Sequence, residues 1–382
     1  MGPAWLLVAL AVSADHGFAN VSIQAEAHGS ASLQGGGAAP GLGPGLSVQP
    51  NLDLGLLSGT LRADIGYHPQ FTLTNLAPAF LHRIQASAEW RLSPGRRVQV
   101  DQQLSFGQYD TSLGNLGQGG LFPDYILPLG IVDYLTSDTA VGLDGAIIPR
   151  LRLRAGAGYH VSGGLTAEAQ AGIPLQQGPR LSLELQHDAT RRDSFSGHAK
   201  LSADRFSNGK NAGVAEGGGT WHSILTRELA LSVGAGVAAA ASAPAGEALV
   251  PLVVPVATVG LTFGVPRIRF SLDAGYAPQA DALSGNIYRR AGLNASGEYH
   301  PRSDLTARAG ASGSFSLGAQ GSGDDGAVQT GDRSVQGEAS LAFHEGGLEV
   351  SGGLRVADVL LSGSHSTEVR AFVAFSLKGP VR

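Results

Sequence analysis

Residues 150–161 read RLRLRAGAGYHV. Leu151, Leu153, Ala155, Ala157, Tyr159 and Val161 fall on one side of an alternation, and Arg150, Arg152, Arg154, Gly156, Gly158 and His160 on the other. A period of two sends successive side chains to opposite faces of a strand, whereas a helix would scatter both sets around its axis. The pattern recurs along the chain. Ile268, Phe270, Leu272, Ala274 and Tyr276 oppose Arg267, Arg269, Ser271 and Asp273, and Ile84, Ala86, Ala88 and Trp90 oppose Arg83, Gln85, Ser87 and Glu89. Val369, Ala371, Val373, Phe375 and Leu377 form another apolar face near the end.

Alternating segments begin near residues 46, 57, 82, 96, 137, 150, 165, 180, 194, 213, 228, 252, 267, 285, 304, 333, 348 and 367, which predicts about eighteen strands within a range of 16–18. They run to ~10–13 residues, longer than the ~5–6 of globular strands and enough for the ~9–11 that a tilted membrane-spanning strand needs. Small residues crowd the polar face, which leaves the inside of a closed sheet open. A soluble sandwich would fill that face with large apolar groups. Aromatic residues lie near strand ends, as at Tyr67, Trp90, Phe106, Tyr159, Phe263, Tyr276, Phe315 and Phe343, where interfacial girdles need them. The reading is all-β: a transmembrane antiparallel β-barrel over residues 46–382, in the bacterial outer membrane.

Turn spacing checks the count. Short turns at 265–266, 300–303 and 344–347 alternate with longer links at 240–250, 278–284 and 318–332. In the N-terminal half this parity fails, because the tight Ser93-Pro94-Gly95 turn and the long 109–136 link fall on the wrong sides. The error lies between residues 20 and 190. Either 46–67 is one long strand, or Val21 to Leu33 supplies another.

Composition agrees with a barrel and excludes other classes. Charged residues make up 15% of the 382, against roughly 25% in ordinary soluble domains. Hydrophobic residues at 43% are too many for a disordered chain, and a net charge of −5 gives no reason to expect nucleic acid. Cysteine is absent, which removes disulfides, thiolate metal sites and a thiol nucleophile. The one long apolar run, ALVPLVVPVATVGLTFGV at 248–265, carries Pro251 and Pro255, so it reads as a strand rather than a membrane helix. Residues 1–14 read as a signal peptide, with an apolar run from Ala4 to Val12 and small residues at Val12-Ser13-Ala14, although no basic residue precedes the run. Residues 15–45, rich in Gly and Pro from 35 onward, read as a flexible lead-in.

No enzyme is expected, and no cofactor or metal. Gly321 to Gly326 matches GxGxxG but lies in a polar loop without the strand and helix that a dinucleotide site requires. His187-Asp188 with Arg191, Arg192 and Asp193 is the one cluster resembling a hydrolase rim, and it reads as solvated loop charge. The apolar content of 109–136 predicts a constriction folded into the lumen or a short helix at a rim.

The lumenal charge is more informative. Arg62, Arg83, Arg91, Lys200, Arg355 and Arg370 join Arg150, Arg152, Arg154, Arg267, Arg269 and Arg308 on the polar face, and they slightly outnumber its acids. Rings of Arg select anions and offer a bidentate fork to carboxylates. The last six are the candidate anion pathway. Beside it stands the reading in which Arg and Glu pair across strands and only stiffen the wall. The leading function is an aqueous passage; a passive porin for small solutes, or a structural barrel with a blocked lumen, are the alternatives.

The segments RADIGYHPQFTL (62–73) and RIQASAEWRLSPGRRVQV (83–100) carry a Tyr-x-Pro corner, a His82-Arg83 strand start and a Pro94-Gly95 turn. This style resembles outer-membrane β-barrels of myxobacteria, some of them associated with polysaccharide export. The resemblance implies export of an anionic polysaccharide together with a periplasmic export protein lacking an outer-membrane pore of its own. It also implies outer-membrane lipid and the barrel-assembly machinery as partners. The chain departs from the common pattern by ending FSLKGPVR at 375–382, without a terminal aromatic, which puts the insertion signal at Phe375 or Leu377.

Overall fold

The computed structural model describes residues 16–34, 41–74, 77–110, 131–281, 284–320, 333–361 and 364–381. The signal segment 1–14, residues 111–130 of the apolar link and the Gly321–Gly326 loop lie outside them. One antiparallel sheet runs β1 (His16–Gln34), β2 (Gly41–Ser58), β3 (Leu61–Tyr67), β4 (Gln70–Thr74), β5 (Ala77–Ser93), β6 (Arg96–Asp110), β7 (Ile131–Ile148), β8 (Leu151–Gly164) and β9 (Gln176–Asp188). It continues through β10 (Asp193–Phe206), β11 (Lys210–Ile224), β12 (Leu229–Pro244), β13 (Leu252–Val265), β14 (Ile268–Ala280) and β15 (Ile287–Arg302). Last come β16 (Leu305–Gln320), β17 (Arg333–Glu345), β18 (Leu348–Leu361) and β19 (Ser364–Val381). Each strand pairs with the next, save that β3 and β4 lie end to end between β2 and β5, and β19 pairs with β1 from Ser366↔Gln34 to Val381↔Ala19, closing the barrel. Closure removes the two terminal sheet edges, the condition for crossing hydrocarbon with strands.

β3 and β4 are one stave. Leu52↔Tyr67 and Val48↔Phe71 keep a single register on β2, as do Tyr67↔Ile84 and Gln70↔Leu81 on β5. The ladder lapses only at His68-Pro69, where proline has no N–H to give. The barrel therefore has eighteen staves.

The number matches the sequence reading, but the set does not. Residues 16–34 form β1 and 41–45 begin β2, where the sequence pointed to a flexible lead-in. The strand expected near 165 is absent; α1 (Ala167–Gly172) stands there, with Thr166 Oγ1 accepting from the Ala169 N–H at 3.2 Å as N-cap. The two errors cancel in the count and together cause the failed parity. β1 does alternate, with Val21, Ile23, Ala25 and Ala27 against Ser22, Gln24, Glu26 and His28, and it pairs along its length with two long neighbours.

With β1 in place, both described ends of the barrel sit at one rim. That rim carries only turns of two to four residues: 59–60, 94–95, 149–150, 189–192, 225–228, 266–267, 303–304 and 346–347. Every longer link, including 165–175 and 245–251, is at the opposite rim. The outer face is apolar, with Leu183, Leu293, Val373 and Leu377 half exposed around the circumference. Exposed Trp90, Phe263, Phe343 and Phe375 mark the short-turn end, and Phe71, Phe80, Tyr159 and Phe315 the other.

Among the described residues the wall opens between β13 and β14. β13 and β14 pair from Val265↔Ile268 to Ala257↔Tyr276 and no further. Beyond that point β13 stays with β12 to Leu252↔Ala240, and β14 stays with β15 to Ala280↔Ile287. The cause is legible in the backbone. The Gly264 N–H donates to Glu228 O at the foot of β12 at 2.8 Å, so Pro255, odd-numbered, turns its edge toward β14. The Asp281 N–H donates to Asn286 O on the β15 side at 2.8 Å, so Pro278 turns its edge toward β13. Continuing the register would set Pro255 opposite Pro278, with both donors missing from one hydrogen-bonded pair.

Freed from β13, the far end of the β14–β15 hairpin folds into the lumen. Ile287 is 1% exposed and packs on Phe206, Ala212 and Ala240 of β10–β12. Lys210 Nζ donates to Asn286 Oδ1 at 2.6 Å, and Asn208 Nδ2 to Ser284 O at 3.3 Å. Gly285, at φ +70°, lies so close that a Cβ would meet Phe206 at 3.0 Å. The hairpin narrows the passage below the long-link rim.

Candidate functional site in the lumen

Cross-strand register stacks the polar face into rows. Near the short-turn rim one row runs Arg91–Arg97–Asp144–Arg154–Glu184–His198 across β5 to β10. Above it lies Glu89–Gln99–Gly142–Gly156–Ser182–Lys200, and higher still Gln85–Gln103–Asp138–His160. The wall thus passes from dense charge to hydroxyls and amides.

Asp144 is the hub of the charged row. Its carboxylate accepts from Arg97 Nη2 at 2.9 Å and Arg152 Nε at 2.5 Å, with Arg154 Nε at 3.9 Å. Arg154 Nη1 also reaches Glu184 Oε2 at 3.3 Å, and Arg97 Nη1 reaches Glu89 Oε2 at 3.2 Å. On the facing wall Arg308 bridges Glu298 and Glu349, each at 3.3 Å. Arg355 joins Glu26 at 2.9 Å and Glu338 at 3.0 Å, its guanidinium 4.0 Å from the Phe372 ring centroid. Register sets Arg355 opposite Arg370, whose own charge is met by Glu368 at 2.8 Å. The guanidinium groups of Arg97, Arg152, Arg154 and Arg308 are half exposed to lumenal water, so each of their pairs contributes little stability alone, whereas Arg370 and Glu368 are buried. Together they fix an alternating field.

The six candidate anion-pathway arginines divide by position. Arg150 and Arg267 are not strand residues as expected; they occupy two-residue turns at the short-turn rim, Arg150 at φ +71°. Following Pro149, that backbone is the second central position of a type II turn, and alternation alone does not show where the strand stops. Arg152, Arg154 and Arg308 are on strands and carry carboxylate partners. Arg269 stands opposite Glu298 in the ladder and lines, with Arg308, a cavity of about 990 Å³. Sequence reasoning missed Asp144, Arg97, Arg180 and Arg290. Asp144 shows the right alternation between Leu143 and Gly145, but its partners across β6 are set by a pairing that spans residues 111–130.

The expected apolar constriction is only partly described. Tyr109 and Tyr134, at its two ends, face each other on β6 and β7 with ring centroids 5.8 Å apart, both buried.

Removing the hub charge reads out the field. Asp144→Asn leaves three guanidinium groups without their shared carboxylate, and should move the reversal potential in a salt gradient toward anions while the barrel still inserts. An unmoved potential would mean that this row does not face the ion path.

Residues 19–340 match the model of the EpsX exopolysaccharide export family. No curated protein matches. Among solved structures, Pseudomonas aeruginosa OccK2 (OpdF) superposes with a TM-score of 0.51 at 12% identity, covering 95% of this chain and 99% of that one. The structure of OccK2 (OpdF) in complex with glucuronate gives the same TM-score and identity over 95% and 100%. P. aeruginosa OpdL gives 0.49 at 13% over 95% and 99%. At these identities the likeness is one of fold, to outer-membrane porins.

Proposed function

The chain belongs to the EpsX exopolysaccharide export family and is a β-barrel channel of the bacterial outer membrane, and from that premise we propose that it conducts an anionic polysaccharide outward, receiving it from a periplasmic export protein. Barrels of this membrane keep short turns in the periplasm and long loops outside. The rim of two- to four-residue turns is therefore the entrance.

One observation carries the reading. The entrance turns and their flanks present Arg96, Arg150, Arg192, Arg227 and Arg267, all exposed, and none forms an ion pair among the described residues. A collar of unpaired guanidinium groups concentrates polyanions at the mouth, through a field that physiological salt limits to about 8 Å. Inside it, Arg152, Arg154, Arg269 and Arg308 continue the pathway beside carboxylates that keep the polymer from binding too tightly to leave. The barrel acts as a conduit, and the chemistry of assembly belongs to its partners.

The test pairs a Arg150→Gln/Arg267→Gln variant with wild type. Secreted acidic polysaccharide should fall and the reversal potential should shift toward cations, with surface barrel unchanged. Equal secretion and an equal potential would leave a passive porin as the better account.

A further inference from the structure

We propose that the waist of the lumen holds a binding subsite for an acidic oligosaccharide segment, formed by Arg83, Arg180 and the in-folded Arg290; this rests on the anionic-polysaccharide reading above. A cavity of about 990 Å³ lies here, lined from one wall by Arg83 of β5, Arg180 of β9 and Lys200 of β10, and from the other by Arg290 of β15. Arg290 reaches it because the β14–β15 hairpin leaves the wall at Pro255 and Pro278.

Arg290 is itself held by Asp281 at 3.4 Å, and what distinguishes the waist is the charge of the two wall arginines beside it. Arg62, Arg91, Arg97, Arg152, Arg154, Arg308, Arg355 and Arg370 each have a carboxylate within 3.5 Å. Arg83 and Arg180 have neither an ion pair nor a side-chain hydrogen bond among the described residues. Arg83 is moreover half-buried, a position that is costly for a guanidinium unless an anion visits it.

The neighbours supply the rest of a sugar site. Asp204 Oδ1 is buried in the same cavity wall without a hydrogen-bond partner, and a sugar hydroxyl can donate to it. Gln85 and Gln103 lie in the row between the two arginines and can donate and accept, and the same row carries Asp138, which is paired with His160. Four inter-strand steps separate β5 from β9, roughly 19 Å of wall at ~4.8 Å each. A single sugar cannot span that distance, so the ligand is a run of several units bearing carboxylates.

The probe is oligogalacturonate, with malto-oligosaccharide of equal length as the neutral control, applied to the purified full-length barrel. In bilayers, oligogalacturonate should interrupt the wild-type current and the neutral sugar should not. Arg83→Gln/Arg180→Gln should need at least about a hundredfold more oligogalacturonate, since two charge-assisted hydrogen bonds are lost together. Arg83→Lys/Arg180→Lys, which keeps the charge, should recover part of the block and reports that the Gln variant's loss is not misfolding. Calorimetry in detergent reads binding without conduction. Binding lost on Arg→Gln in a barrel that passes no current supports the subsite and overturns the passage. Current with equal block by neutral sugar, or with block unchanged in the Gln variant, overturns the subsite and leaves the passage standing.

Discussion

Pro255→Val/Pro278→Val combined with Ile287→Ala should open the waist and raise single-channel conductance severalfold. In the native chain, zipping β14 back onto β13 would set two prolines opposite each other and forgo both bonds of that pair. Valine restores the two donors, worth about 0.5–1.5 kcal/mol each. The in-folded state is held by Ile287, 1% exposed, and by the Lys210–Asn286 bond at 2.6 Å. Truncating a buried isoleucine costs about 2–5 kcal/mol, more than the two new bonds provide, so the triple variant needs both changes. The proline double alone should give a mixture of two conductance levels. A triple variant that keeps its folded mobility on gels and conducts like wild type would show that the hairpin does not narrow the ion path.

The second large effect separates the two faces of the wall. Val373 is 47% exposed near the middle of β19 and faces outward, whereas Ser312 on β16 faces the lumen beside Asn294 and Gln336. Val373→Arg should lower folding stability by about 2–4 kcal/mol, the cost of arginine at the bilayer midplane. Ser312→Arg should leave stability close to wild type, because its charge stays in water. Urea unfolding in lipid vesicles measures both. Equal losses at the two positions would mean that the faces are assigned wrongly.

The charged rows also show where reading a sequence stops. Alternation identified Arg152, Arg154 and Arg308 as polar-face residues, and each is on a lumen-facing strand position. It could not show that Arg152 shares Asp144 with Arg97, because β6 and β7 are joined through twenty intervening residues and their register follows from closure. Of the two accounts of the lumen, cross-strand pairing describes the deep arginines, while Arg150 and Arg267 stand in the turns of the rim.

The strand near 165 and the missed β1 have different explanations. Small residues alternate as readily by composition as by design, so LTAEAQAG at 165–172 mimics a strand while the Thr166 cap and helix-forming Ala and Glu win locally. β1 carries an alternation of its own from Ala19 to Leu33, and it is paired by β2, its neighbour in the chain, and by β19, met only when the sheet closes.

The sequence by itself determined the barrel, its two faces and its place in the outer membrane, because strand periodicity, strand length and the apolar outer stripe are local properties that each segment carries alone. It also contained both prolines of the seam, at 255 and 278, and used the first to exclude a helix. That they face each other, send a hairpin across the lumen and bring Arg290 toward Arg83 and Arg180 was decided only by tertiary structure. Register is a relation between strands: which donors are missing from the same pair, and which charges share a row, depends on how the closed sheet aligns residues that the chain keeps far apart.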